Sequence, residues 1–66
     1  MNVGENIRRI RTAKGIYQAD LAKQAGITQA MLSFIERGTK LPSLPVGKLI
    51  ADALGVTIDD LLGDAK

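Results

Sequence analysis

Five residues between positions 29 and 37 carry recognition chemistry: the amide of Gln29, the methyl of Ala30, the hydroxyl of Ser33, the ring of Phe34 and the guanidinium of Arg37. An amide makes paired hydrogen bonds to an adenine edge, a guanidinium reaches guanine or a phosphate, and a methyl meets the methyl of thymine. Ala30 also gives clearance for a close approach, and Ser33 is permissive. Phe34 is the odd member, because an isolated ring on a mainly polar face needs a contact. It packs on thymine methyls, lies against the loop after Gly38, or forms a protein interface. Taken singly, Gln29 and Ser33 are equally ordinary solvated residues. The set has meaning only if one helix face presents it together.

The segment supplies that face. At ~100° per residue, with Leu32 and Ile35 turned to a core, the five residues fall on one outward arc of about 140°. The helix before it is expected over Gln18–Gln24, with Leu21 and Ala22 facing the same core and Ala22 small where the helices cross. Gly26 ends that helix, since a sharp reversal commonly needs the left-handed conformation that glycine reaches without penalty. Ile27 fills the corner and Thr28 caps the next helix. Residues 18–37 therefore read as a helix-turn-helix whose second helix is groove-reading.

Residues at the edges of this unit are suited to phosphate. A helix N-terminus offers free N–H groups to an anion, and Gln18 adds an amide donor there. Tyr17 and Thr28 stand at the two helix starts, Arg37 at the end of the second, and Lys40 and Ser43 at the start of a further helix. These six residues form the expected phosphate set. Plain helix capping is the other reading for Ser43. Arg11 and Glu36 can pair across the first and third helices, fixing the tilt of the recognition helix, or remain two solvated charges.

The positioning elements number five. The first helix is expected from Val3 to Lys14, with Val3, Ile7 and Ile10 at helical spacing and Gly15 as its stop. The fourth starts at the Ser43 cap, tolerates Pro45 in its first turn and offers Val46, Leu49, Ile50, Ala53 and Leu54 as its core stripe. Gly47 in its interior costs about 1 kcal/mol relative to alanine. Gly55 ends it. Thr57 caps the fifth helix, with Asp59 and Asp60 in the first turn, where the dipole favours carboxylates. No strand-like alternation appears, so the expectation is one compact all-α domain over residues 1–66.

Composition narrows the function. The 66 residues include no cysteine and no histidine, which removes thiolate ligands, the commonest metal ligand and the commonest general base. Ser33 has no base partner, and Asp59 and Asp60 point ~100° apart on one helix. No glycine-rich phosphate loop or metal-ligand cluster is visible. An enzyme, a cofactor and a small-molecule ligand are not expected. No run approaches the roughly 18 apolar residues of a membrane span, the N-terminus lacks the apolar core of a secretory signal, and a cytoplasmic location is expected. Net charge is only +2, but residues 1–40 carry +4 and residues 41–66 carry −2. A basic half beside an acidic half suits a face for a polyanion.

The chain resembles the phage Cro/repressor-type helix-turn-helix family, also called the xenobiotic-response-element family. The resemblance rests on I-R-R-I-R at 7–11, Q-A-D-L-A at 18–22, A-G-I-T at 25–28, I-E-R-G at 35–38, P-S-L at 42–44, A-D-A-L-G-V at 51–56 and I-D-D-L-L at 58–62. It implies a five-helix, lambda-repressor-like fold that binds duplex DNA sequence-specifically, usually as a dimer. On matching positions it makes Gln18 a phosphate contact, Gln29, Ala30, Ser33 and Phe34 base-facing, and Arg11–Glu36 a structural ion pair. Tyr17 departs from the Ser or Thr often found there as an N-cap, and Phe34 departs from the polar residues common at its position.

The expected function is a bacterial or phage transcriptional regulator, a repressor, acting on a two-fold DNA operator as a homodimer. The alternative is a protein-interaction module or antitoxin-like component on the same fold. The expected self-association surface is Val56, Ile58, Leu61 and Leu62, unless these residues close the monomer's own core. Half-sites would lie about one DNA turn apart, on the order of 34 Å.

Overall fold

The computed structural model describes residues 2–63. Five helices follow one another: α1 (Val3–Ala13), α2 (Gln18–Ala25), α3 (Gln29–Glu36), α4 (Leu44–Leu54) and α5 (Ile58–Leu62). No strand is present among the described residues. The α2–α3 unit spans the expected segment, with Thr28 and Arg37 as the residues flanking α3 rather than members of it.

Local chemistry sets the boundaries. Asn2 caps α1 by accepting a hydrogen bond from the Glu5 N–H at 3.0 Å. Thr28 and Ser43 cap α3 and α4 by accepting from the Met31 and Val46 N–H groups at 3.0 and 3.3 Å. Thr57 does more. Its hydroxyl accepts from the Asp60 N–H at 3.1 Å, while the Asp60 carboxylate accepts from the Thr57 N–H at 3.0 Å. This reciprocal capping box satisfies two otherwise orphaned donors and helps a helix of only five residues hold its shape. Gly26 adopts φ +75°, the left-handed value that ends α2.

The core is built by Ile7, Leu21, Ala22, Ala25, Leu32, Ile35, Ile50, Ala51, Leu54 and Leu61, all buried. The helices close around it in a ring of neighbours, α2 on α4, α4 on α5, α5 on α1 and α1 on α3, while α2 and α3 pack on each other. Asn6 ties α1 to α5, donating its side-chain N–H to the Leu61 carbonyl at 2.9 Å.

Two expectations need correction. The buried face of α4 is Gly47, Ile50, Ala51 and Leu54, whereas Leu49 is 46% exposed. The stripe is turned because two small residues, Gly47 and Ala51, face inward. A Cβ added at Gly47 would sit at an ordinary 3.8 Å from Ile58 Cδ1, so α5 covers this turn of α4 with room left for a methyl. Leu61, expected at a self-association surface, is only 1% exposed. It is the anchor that seats α5 on the core, leaving Val56, Ile58 and Leu62 half-buried.

Gly4, which no sequence pattern marks, is buried. It faces the carbonyl oxygens of Ile35 and Glu36, so the start of α1 lies directly on the end of α3. This contact places α3 relative to the rest of the fold.

Candidate nucleic-acid interface

The turn between α2 and α3 is tight. The Gly26 N–H donates to the Lys23 carbonyl at 3.2 Å and the Ile27 N–H to the Ala22 carbonyl at 3.0 Å. Three residues therefore separate the two helices, and Thr28 starts α3 at once. Leu32, Ile35 and Glu36 form the inward face of α3. Gln29, Ala30, Phe34 and Arg37 are exposed and Ser33 is half-buried. The five recognition-type side chains share one face, and that face is open.

Phe34 is 43% exposed and has a partner on its own helix. The Arg37 guanidinium carbon lies 5.1 Å from the ring centroid, within the range of a cation–π contact. Arg37 Nε also donates to the Ser33 carbonyl at 3.3 Å. The loop after Gly38 meets the backbone of Phe34: its carbonyl accepts from the Thr39 N–H at 3.0 Å and from the Thr39 hydroxyl at 3.2 Å. The guanidinium is thus held over the ring at the C-terminal end of the exposed row.

Arg11 and Glu36 meet. Arg11 Nε and one terminal N–H donate to the two carboxylate oxygens at 2.7 and 3.0 Å, and the other terminal nitrogen donates to the Ile16 carbonyl at 2.8 Å. The side chains are 12% and 4% exposed. A fork-to-fork pair of this kind fixes orientation as well as position. It joins α1, the α1–α2 loop and α3 at one point.

Gln18 extends the network. Its Nε2 donates to Glu36 Oε1 at 3.1 Å, and its Oε1 accepts from Gln29 Nε2 at 3.3 Å. The residue expected at phosphate therefore also touches the residue expected at a base. One N–H of Gln18 stays free of both bonds, because a primary amide has two.

The remaining phosphate candidates flank this centre. Tyr17 is 76% exposed and makes no side-chain cap bond. Thr28 and Ser43 spend a lone pair on capping, which leaves each hydroxyl hydrogen available to an anion. Lys40 is exposed in the α3–α4 connection. Arg8, which lies outside the expected phosphate set, lines a cleft of about 240 Å³ with Arg11, Gln18, Ser33, Glu36 and Arg37. Three arginines face one carboxylate there, so the cleft is net positive. Helical spacing carried the signal, since Arg8 and Arg11 are three apart on one face of α1.

A second exposed feature is apolar. Leu41 and Leu44 are 80% and 76% exposed. They border a trough of about 250 Å³ with Val3, Ile58 and Leu62. Leu41 lies in a connection without periodicity and Leu44 opens α4, so helical spacing assigns neither a side. Among the described residues no helix is long and apolar enough to cross a membrane.

Residues 7–61 match the family model described as Helix-turn-helix. The chain is 41% identical over 63 residues to an uncharacterized HTH-type transcriptional regulator, YazB, of Bacillus subtilis, covering 96% of this chain and 91% of that protein. It superposes on the biofilm master regulator SinR in complex with DNA with a TM-score of 0.85 at 33% identity, over 91% of this chain and 97% of the other. The DNA-binding domain of the P22 c2 repressor gives a TM-score of 0.91 at 31% identity, over 97% of this chain and 84% of that one. With five helices in the same arrangement and a sequence match running from α1 into α5, the chain belongs to the helix-turn-helix family.

Proposed function

We propose that this chain is a transcriptional regulator, a repressor, that binds duplex DNA sequence-specifically with α3 in the major groove. The observation that carries the reading is the outward row Gln29, Ala30, Ser33, Phe34 and Arg37 on one exposed helix face. Gln29, Ala30, Ser33 and Phe34 meet base edges. Tyr17, Gln18, Thr28, Arg37, Lys40 and Ser43 hold phosphates on either side. The likeness to SinR, whose structure holds DNA, and to a phage repressor supports this reading. The site of action is the cytoplasm, on the nucleoid.

The protein acts as a homodimer on a two-fold operator. One unit of this size covers one half-site, too small a surface for high affinity alone. The second copy docks on the trough edged by Leu41 and Leu44, continuing to Ile58 and Leu62. Two leucines at this exposure are costly to leave in water; Leu41 lies on the α3–α4 connection and Leu44 opens α4. Leu61 is buried and contributes only to the lining of that trough.

Selection from a random pool of duplexes tests the function directly. A recovered palindromic sequence, bound with an affinity that falls steeply between about 50 and 200 mM salt, is the expected result. Recovery of no common sequence, with salt-insensitive binding, would exclude it. Sedimentation with and without the selected duplex tests the dimer. One copy bound per site at full affinity would remove the dimer and leave DNA binding intact.

A further inference from the structure

Phe34 brings an aromatic ring to the outward row of α3 and no hydrogen-bonding group. The Arg37 guanidinium lies over one face of that ring, its carbon 5.1 Å from the centroid. Arg37 is itself held, because its Nε donates to the Ser33 carbonyl at 3.3 Å. The ring is therefore backed on one side by a fixed cation, and Phe34 is still 43% exposed. Its uncovered surface looks out along the row that runs from Gln29 and Ala30 through Ser33.

A phenyl ring cannot read a base through donors and acceptors. It can take up an apolar group that stands out into the groove. The bases present one such group in the major groove, the C5-methyl of thymine. A methyl laid on the open part of the ring removes apolar surface of both partners from water. 5-Methylcytosine carries the same methyl on the same ring carbon. It differs from thymine at position 4, where an amino group replaces O4. A hydrogen-bonding side chain tells those two groups apart, and a phenyl ring does not. Uracil and cytosine lack the methyl.

We propose that Phe34, backed by Arg37, reads the C5-methyl group itself, so that 5-methylcytosine is accepted where thymine is and cytosine is not. The protein thereby distinguishes a methylated from an unmethylated copy of one DNA sequence. Arg37 keeps its place at phosphate. The ring takes the flat face of the guanidinium and Ser33 takes Nε, while the four N–H groups of the terminal nitrogens point outward in its plane and remain for an anion. This inference rests on the proposed DNA-binding function and specifies which chemical group one of its residues selects.

The experiment uses the full chain and the duplex recovered by selection. Each thymine is replaced in turn by uracil, which deletes only the methyl. At one position in each half-site, wild type is expected to lose about fourfold in affinity, the effect of burying one methyl. Phe34→Ala and Phe34→Gln are expected to lose nothing further there. The same position is then made cytosine or 5-methylcytosine, each paired with guanine. Wild type is expected to bind the methylated duplex about fourfold more tightly than the unmethylated one, and both variants to bind the two equally. Thermal melting of each variant verifies that the fold is retained. A merely structural role for Phe34 would lower all affinities together and leave the methylated-to-unmethylated ratio unchanged, which would overturn the proposal. Equal binding of cytosine and 5-methylcytosine by wild type, or the lack of any uracil penalty that depends on Phe34, would also overturn it and leave DNA binding intact. A variant that keeps both ratios but changes the sedimentation of the DNA-free protein would assign the ring to a protein interface instead. Recovery of no common sequence in the selection would remove the DNA-binding function, and the methyl reader with it.

Discussion

Gly4, at the start of α1, rests against the carbonyl oxygens of Ile35 and Glu36 at the end of α3. A Cβ added to Gly4 would fall 3.0 Å from the Glu36 oxygen and overlap the Ile35 oxygen. Both obstacles are backbone, and both belong to the last turn of the recognition helix.

Gly4→Ala should therefore be costly although it replaces glycine by the best helix former. Overpacking of a tight contact costs about 1–3 kcal/mol, and a backbone obstacle puts this case at the upper end. The melting temperature should fall by at least about 10 °C. An unchanged melt would show that α1 can move off α3 freely.

Gly47→Ala should have the opposite sign. Gly47 lies in the interior of α4, and its added Cβ would meet Ile58 Cδ1 at an ordinary 3.8 Å. Relieving a helical glycine gains about 0.5–1 kcal/mol. A thermal melt should move up by several degrees, about 2–8 °C. A lower melting temperature would mean that α4 and α5 cannot accept even a methyl group.

The Arg11–Glu36 pair should be expensive to break and cheap to replace. Arg11→Met leaves the Glu36 carboxylate, 4% exposed, with Gln18 as its remaining side-chain partner. The expected cost is about 3–5 kcal/mol. In the double variant Arg11→Met, Glu36→Leu the stranded charge is gone, and most of the loss should be recovered. Denaturant titration of both variants checks this. A double variant no more stable than Arg11→Met would show that packing, not the stranded charge, carries the loss.

Tyr17→Ser should stabilise the fold and weaken its binding. A serine at this N-cap can accept from the first turn of α2, worth about 1 kcal/mol, and Tyr17, at 76% exposure, has little burial to lose. A melt should rise by about 4–8 °C. If the phenol touches a phosphate as proposed, affinity should fall by a similar factor for all duplexes. Equal affinity would remove Tyr17 from the phosphate set.

The fold was legible because its punctuation is local. Thr28, Ser43 and Thr57 cap the helices that they precede, and Gly26 and Gly55 end α2 and α4 in the left-handed conformation. These signals act within a few residues, so a linear reading finds them. Gly4 was illegible because its reason is a backbone 31 positions away. The rotation of α4 was missed for a related cause: a stripe was assigned by counting large apolar residues, while α5 covers Gly47 instead. Leu41 escaped because a loop has no period from which a side can be read, and Leu44 because it lies in the first turn of α4, ahead of the stripe. In the candidate site, helical spacing was enough to place the recognition row. It was not enough to show that Gln18 touches Gln29, which depends on how α2 and α3 cross.

The Asn6–Leu61 hydrogen bond also joins the first and last of the described helices. Residues 55 positions apart are neighbours in space, and Gly63 lies against the Asn6 side chain. The order in which the five helices are strung is therefore separable from the shape they make. A circular permutant, with a short glycine-serine bridge joining Gly63 to Asn2 and new ends opened in the exposed connection at Lys40, should keep the same core. In such a permutant α4 and α5 would come off the ribosome ahead of the recognition helix.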